Sequence, residues 1–374
     1  MLYSTQLRPR GSLSQERMPA VRIAGLGKYL PQRVLTNDDL ARMVDTSDEW
    51  IRDRSGISER RLAADHETAS SMGLEAARQA LALANAEPDS LDLVLAATTT
   101  PDGLFPSVAS RIQEGLKAHR AGAFDVNAAC TGFLAALATG SQFIATGACR
   151  RVLVVGTEVL SRIVDWTDRD TCVLFGDGAG ALVLEAADRG GPLGIVLHSD
   201  GAGIDLLNAP GPCGRRDLPP SPFLVSMDGR PLFKFAVNAL EQAIREALAA
   251  AGLSPQDIDL FVPHQANLRI INAATRALRI PPEKVMINIE RYGNTSSASI
   301  PIALCEAWEE GRLQEEQRVV LASFGGGLAW GAIILEWTPL KSSPQQADRL
   351  PIEGAVGAAV EKPSKSPPPL LRRR

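Results

Sequence analysis

Histidine is scarce in this 374-residue chain: only four occur, at positions 66, 119, 198 and 264. Long apolar runs are missing as well. None approaches the roughly 20 residues needed to cross a bilayer, so no membrane span is expected. Neither sign of charge dominates. Lys plus Arg number 39 against 43 Asp plus Glu, a net charge of −4. That leaves no basic field of the kind that attracts nucleic acid. Five cysteines stand at 130, 149, 172, 213 and 305, with no C-x-x-C pair. An odd, dispersed set argues against a disulfide framework and a cysteine-ligated zinc site, and fits a reducing cytoplasmic compartment.

What is present suits a soluble globular protein: 45% apolar and 22% charged residues, in a chain long enough for two ordinary domains or one large duplicated one. The ends differ from the middle. Residues 1–19 carry Arg8, Arg10, Ser12, Ser14 and Arg17 and lack the apolar core of a secretory signal. They read as an arm, an upstream start ahead of Met18, or a weak targeting segment. Residues 340–374 turn to Ser, Pro and Gln and end in three arginines, the composition of a flexible tail outside the core.

The middle repeats itself. Glu75–Val94 resembles Gln242–Phe261, with Arg78, Pro88 and Asp92 matching Arg245, Pro255 and Asp259 at one constant offset. Arg151-Val-Leu-Val-Val recurs as Arg318-Val-Val-Leu-Ala at that same offset. Ala181–Glu185 matches Ala332–Glu336 at a shorter one, which predicts a loop deletion in the second copy. Each copy reads as helix, proline turn, buried strand, helix, buried strand and hairpin. Unbroken apolar strands alternating with helices predict a layered α/β architecture with both sheet faces covered. We divide the folded part into halves at 20–190 and 191–339.

Four segments carry chemistry. Cys130 stands between an apolar strand ending at Val126 and an alanine-rich helix over 131–145. Unpaired N–H groups at that helix start are expected to favour a thiolate, which makes Cys130 a candidate acylated nucleophile. The alternative is a buried cysteine packing as a small hydrophobe. His264 ends Leu260-Phe-Val-Pro-His264, whose counterpart in the first copy is Ala97. It falls on the rim where α/β sheets present ligands, though a hydrogen-bonded structural histidine fits as well. A strand over Val285–Ile289 is expected to precede Asn294, which leads a run of small hydroxyl residues into a helix over 300–308. An N-cap is the competing role for that asparagine. Gly325-Gly326-Gly327 lets the backbone approach another group and offers N–H donors, or forms a hairpin turn.

Together, Asn127-Ala-Ala-Cys130-Thr-Gly-Phe, Pro263-His264-Gln-Ala-Asn-Leu-Arg269 and Tyr292-Gly-Asn294-Thr-Ser-Ser-Ala-Ser resemble the Cys-His-Asn motifs of the β-ketoacyl-acyl-carrier-protein synthase III family. Asp45-Thr-Ser-Asp-Glu-Trp50, Phe175-Gly-Asp-Gly-Ala-Gly and Phe324-Gly-Gly-Gly resemble it too, so the likeness spans about Val21 to Trp337. It implies a thiolase-like five-layered α-β-α-β-α fold of two duplicated halves, a homodimer, and no metal or cofactor. It implies condensation of an acyl-coenzyme A with malonyl-acyl-carrier protein, with Cys130, His264 and Asn294 catalytic and the N–H groups of Cys130 and Gly326 as oxyanion hole.

The resemblance also implies substrate contacts. Trp50, Arg54, Arg169 and Asn267 would meet coenzyme A, with its adenine between Trp50 and Arg169. Lys234 and the run Gln265, Ala266, Asn267, Leu268 and Arg269 would face the carrier protein, and Phe105 would close the acyl pocket from the partner subunit. Thr131 and Asp170 depart from the commonest pattern, and Asp170 puts a carboxylate near the expected nucleotide entrance. Two other roles are weighed: acyl transfer in specialised metabolism on the same fold, and a non-enzymatic partner subunit. Retention of all three polar residues argues against the latter.

Overall fold

A computed structural model describes residues 20–211 and 224–341. The arm expected over 1–19, Cys213, and the tail expected over 340–374 beyond its first two residues lie outside the described residues.

Two mixed sheets form the frame. The first runs in the order Ala20–Tyr29, Gly178–Ala187, Arg151–Glu158, Leu93–Ala97, Gly122–Val126. The second runs Leu260–Pro263, Arg318–Gly325, Ala329–Glu336, Gly191–Ser199. Central strands such as Leu93–Ala97 are buried throughout, because helices cover both faces and leave no side for polar residues. Helices Ala69–Ala84 and Val108–Leu116 pack outside the first sheet. Gly229–Ala250 and Leu268–Leu278 pack outside the second. Gly132–Ala145 and Ser299–Glu309 lie between the sheets, in one apolar cluster that takes in strands of both. The result is five layers, α-β-α-β-α, as the resemblance implied.

The repeat is visible in matching contacts. The Asp92 carboxylate accepts from the Arg151 N–H at 3.0 Å, and Asp259 accepts from the Arg318 N–H at 2.8 Å. Arg151 faces Glu185 across one hairpin and Arg318 faces Glu336 across the other. Both pairs form ion pairs, with Arg151 Nε 2.8 Å from Glu185 and Arg318 2.8 Å from Glu336. The change in offset has a plain cause. Residues 159–177 join the first hairpin's strands, whereas 326–328 suffice in the second. The longer connection carries Arg169.

One expected strand is not there. Val285–Ile289 makes a single parallel bridge, Val285 to Phe261, and a short helix over Ile289–Tyr292 follows. This bridge occupies the place that Gly122–Val126 fills beside its own neighbour in the first sheet. The ladder stops because the Asn288 N–H is taken by the Gln265 side chain at 3.0 Å.

Strand Ala20–Tyr29 and helix Ala69–Ala84 touch backbone to backbone at Gly25 and Gly27. A Cβ on Gly25 would sit 2.0 Å from the Ala80 carbonyl oxygen, and neither partner can yield. Gly25→Ala is therefore expected to lower stability by about 3 kcal/mol, the upper range of overpacking costs. A urea midpoint equal to the parent's would refute this packing.

Candidate active site

The chain turns sharply before the cysteine. Strand Gly122–Val126 ends, and Ala129 adopts φ 46°, a left-handed conformation that costs a non-glycine residue about 1–2 kcal/mol. A 3-10 turn over Ala129–Thr131 then feeds helix Gly132–Ala145. Cys130 is thereby held at the junction and buried. The Ser323 hydroxyl donates to its carbonyl oxygen at 2.8 Å. The second half presses on it directly. A Cβ on Gly325 would lie 2.8 Å from Cys130 Cβ and 2.9 Å from its backbone nitrogen, so only glycine fits there. Gly326 comes next, where an added Cβ would lie 3.8 Å from the Ala129 Cβ. Among the described residues neither the Cys130 nor the Gly326 N–H donates to a protein oxygen. With no oxygen acceptor of their own, these N–H groups are open to an oxyanion, the Cys130 N–H meanwhile facing its own sulfur.

His264 follows strand Leu260–Pro263, and its N–H bonds the Ala322 carbonyl at 2.8 Å, continuing the ladder. Its ring is buried edge-on to Phe324, with centroids 5.8 Å apart. Nδ1 lies 2.6 Å from Ser299 Oγ, while Nε2 is buried with no partner among the described residues. Burial pushes the imidazole down to about 3, so it is uncharged at neutral pH.

Asn294 is pinned by its backbone to the long connection of the first half. Its N–H bonds Leu174 O at 2.8 Å and its carbonyl accepts from Gly176 at 3.0 Å. Its Oδ1 accepts from the Ser296 N–H at 2.8 Å. The cap-like role is thus partly realised, yet the Nδ2 donors find no partner among the described residues. The three residues converge through shared neighbours. Phe324 touches His264 while Gly325 touches Cys130. Ser296 holds Asn294 through its N–H, and its hydroxyl acts on the Cys130 thiol against the effect of burial.

The expectation of a thiolate is corrected. Burial outweighs the helix start and pushes the Cys130 thiol up to about 12, with the Glu158 carboxylate adding to the rise and the Ser296 hydroxyl opposing it. Cys130 rests as a thiol.

Sequence reasoning missed several supporting side chains. Glu158 is fully buried and accepts from Thr100 at 2.7 Å and Ser297 at 2.9 Å, tying the two halves beneath the cysteine. Arg60, also fully buried, donates to Val173 O at 2.8 Å and Asn37 at 2.9 Å, bracing the segment that pairs with Asn294. Nothing local in sequence marks either residue. Ser296, Ser297 and Ser299 did show as a hydroxyl run, but not which of them reaches which partner. The Thr131 hydroxyl is buried without a partner among the described residues.

The expected nucleotide entrance lies on helix Asp48–Ser55. The Arg169 guanidinium sits 4.5 Å from the Trp50 ring centroid and Arg54 5.9 Å away. Arg169 stacks on Trp50 directly, held by a 2.9 Å bond to Asp45 O. A flat aromatic ring enters between them only if Arg169 moves outward. Asp170 is exposed beside it. Asn267 caps helix Leu268–Leu278, and its Nδ2 donates to Arg54 O at 2.9 Å.

Lys234 and Arg269 are exposed, and Ala266 and Leu268 are half-buried. Gln265 does not belong to that surface. It is 1% exposed, and its amide is occupied by Pro263 O, Met286 O and the Asn288 N–H. It shapes the loop rather than meeting a carrier protein. Phe105 is 84% exposed on the single chain.

A buried thiol set with an imidazole and a carboxamide on a duplicated five-layered fold is the arrangement of an acyl-transferring condensing enzyme. The family described as 3-oxoacyl-[acyl-carrier-protein (ACP)] synthase III matches residues 124–201, and its C-terminal counterpart matches 248–337. A beta-ketoacyl-[acyl-carrier-protein] synthase III of Symbiobacterium thermophilum is 52% identical over 325 residues, covering 85% of this chain and 98% of that one. That of Methylococcus capsulatus is 51% identical, covering 84% and 98%. The crystal structure of the Aquifex aeolicus 3-oxoacyl-[acyl-carrier-protein] synthase III superposes with TM-score 0.81 at 48% identity, covering 85% and 100%. The chain belongs to the β-ketoacyl-[acyl-carrier-protein] synthase III family.

The neutral histidine has a stability consequence. An unfolded histidine takes up a proton near 6.5, whereas His264 resists until about 3. Between those values the unfolded chain binds more protons, so stability falls as pH falls and is fully present above about 6.5. Moving from pH 7 to pH 5 is expected to cost about 2 kcal/mol through this group. Urea titrations of His264→Asn should show that much less acid sensitivity than the parent; equal sensitivity would contradict a buried neutral imidazole.

Proposed function

We propose that this chain catalyses the decarboxylative condensation of a short acyl-coenzyme A, acetyl-coenzyme A foremost, with malonyl-acyl-carrier protein. The products are 3-oxoacyl-acyl-carrier protein, coenzyme A and carbon dioxide, and the reaction initiates fatty acid synthesis. The observation that carries the reading is the pair of unengaged donors, His264 Nε2 and Asn294 Nδ2, gathered with the oxyanion N–H groups around a buried thiol. The relatives' shared name supports the substrates.

In the first half-reaction the Cys130 sulfur bonds the acyl carbon and the coenzyme A thiolate leaves with the thiol's proton. The Cys130 and Gly326 N–H groups hold the tetrahedral oxyanion. In the second, the malonyl thioester carbonyl lies against His264 and Asn294. Carbon dioxide departs, and the electron pair of the broken bond becomes an enolate whose oxygen these donors stabilise. The enolate carbon attacks acyl-Cys130, and collapse expels the cysteine sulfur. A thiol raised to about 12 recovers its proton at once, so one proton is consumed per turnover. Each developing charge meets a fixed donor worth about 3–4 kcal/mol, and no metal or cofactor is called for.

Trp50, Arg54 and Arg169 would bind the nucleotide end of coenzyme A. Lys234 and Arg269 would attract the acidic carrier protein. Support for a homodimer comes from the edge strand Gly122–Val126, with one ladder side open and Phe124 exposed, and from Leu104 and Phe105 standing out into solvent. No helix among the described residues is long and apolar enough to cross a membrane, and a cytoplasmic location suits these substrates. One structural relative favours a second reading. A priming beta-ketosynthase of the R1128 polyketide pathway superposes with TM-score 0.82 at 37% identity, covering 88% and 100%. Acyl transfer in specialised metabolism on the same fold is therefore the alternative.

Cys130→Ala is expected to abolish transfer of radiolabel from acetyl-coenzyme A to protein. His264→Ala should keep most of that labelling yet form no acetoacetyl-carrier protein, and Asn294→Ala should slow condensation by about 10²–10³-fold. Equal loss of both steps in His264→Ala would overturn the division of roles. Intact-protein mass after exposure to a panel of acyl-coenzyme A thioesters decides the primer.

A further inference from the structure

Ser299 is the first residue of helix Ser299–Glu309 and is almost fully buried. Its oxygen lies 2.6 Å from His264 Nδ1 and accepts the Gln265 N–H at 3.2 Å. No other hydrogen bond of this hydroxyl occurs among the described residues. Counting protons then separates two arrangements. In one, the ring N–H sits on Nδ1 and donates to Ser299. The serine oxygen would receive two donors while its own hydrogen pointed at nothing inside a buried site. In the other, the Gln265 N–H donates to the oxygen and the serine O–H donates to an unprotonated Nδ1. Only the ring N–H opposite Ser299 then lacks a partner, whereas the first arrangement strands both the serine hydrogen and the Nε2 lone pair, and buried polar groups are rarely left unpaired. The single ring proton must in that case stand on Nε2, the atom aimed into the site without a partner.

We propose that Ser299 is a positioning residue that fixes His264 as the Nε2–H tautomer, so that the imidazole is a donor, and not an acceptor, where the substrate carbonyl binds. The Gln265 N–H makes the assignment one-sided, because it occupies an acceptor site on the serine oxygen and orients the hydroxyl toward the ring. Gln265 is held in turn by Pro263 and Met286, so the orienting group is itself rigid. A histidine with a hydroxyl neighbour would ordinarily exchange tautomers; here backbone, serine and imidazole form a chain with one direction. This deepens the reading that His264 stabilises an enolate oxygen, and it predicts a defect confined to the second half-reaction.

The test uses the full chain labelled with nitrogen-15 in histidine. In the parent enzyme the His264 resonances are expected to report a proton on Nε2 and none on Nδ1 at neutral pH. A proton on Nδ1 would overturn the proposal without any substitution being made. Ser299→Ala should then give mixed or reversed tautomers. Its acetoacetyl-carrier protein formation should fall on the order of ten- to a hundredfold, by analogy with removal of the outer partner of a metal-ligating histidine. Cys130 labelling by acetyl-coenzyme A should stay near the parent rate. Ser299→Thr, which keeps the hydroxyl, should retain both the Nε2–H signal and most of the condensation rate. If Ser299→Ala keeps the parent's tautomer, or loses labelling and condensation alike, Ser299 does not act in this way. Failure of the wider reading would look different: His264→Ala would still condense, whatever the tautomer.

Discussion

The contact between Gly325 and the backbone of Cys130 is the constraint on which this molecule rests. It is where the end of a strand from the second sheet meets the cysteine turn of the first, with no side chain between them. Phe324 and Gly326 flank that point. One residue seats the imidazole, the next closes on the cysteine, and the third lies toward Ala129, the residue before the cysteine. Moving the halves apart by even a methyl group would separate sulfur, imidazole and oxyanion donors together. The surrounding buried bonds, Ser323 to Cys130 and Ser297 to Glu158, keep that seam shut.

The three convergent side chains carry no charge at rest. Burial holds the thiol protonated and the imidazole neutral, and the asparagine supplies a dipole. Such a pocket has little to offer a ground-state anion from outside, but fixed donors in a poorly solvated space interact strongly with charge that forms within it. Backbone strain accompanies the arrangement. Ala129 and Ser296, both non-glycine residues with positive φ, sit one and two positions from the nucleophile and the asparagine. The buried arginine at 60 and the carboxylate at 158 serve as braces for those turns.

Duplication gave the two halves similar frames and unequal equipment. The paired Asp92–Arg151 and Asp259–Arg318 contacts mark the same corner in each. Ala97 and His264 end equivalent strands, so one copy contributes the helix-start cysteine and the other the imidazole. The longer hairpin connection of the first half carries Arg169 and pairs with Asn294, so the insertion braces both the Trp50–Arg169 stack and the asparagine.

The residue order alone determined the α/β class, the repeat and the loop difference between copies, and it singled out the three polar residues, whose common role came only from the family resemblance. These are carried by apolar runs, constant offsets and contiguous motifs, all local along the chain. It misjudged what depends on surroundings. Helix position suggested a thiolate, but desolvation, which only packing sets, made a thiol. An apolar run suggested a strand at 285–289, but a side chain from the neighbouring loop took the amide that would have extended it. Membership of a contiguous motif placed Gln265 on the surface, but its amide turned inward to three backbone groups. The sequence also left Ser299 as one hydroxyl in a run of them. Its direction of hydrogen bonding exists only where helix, strand end and imidazole meet.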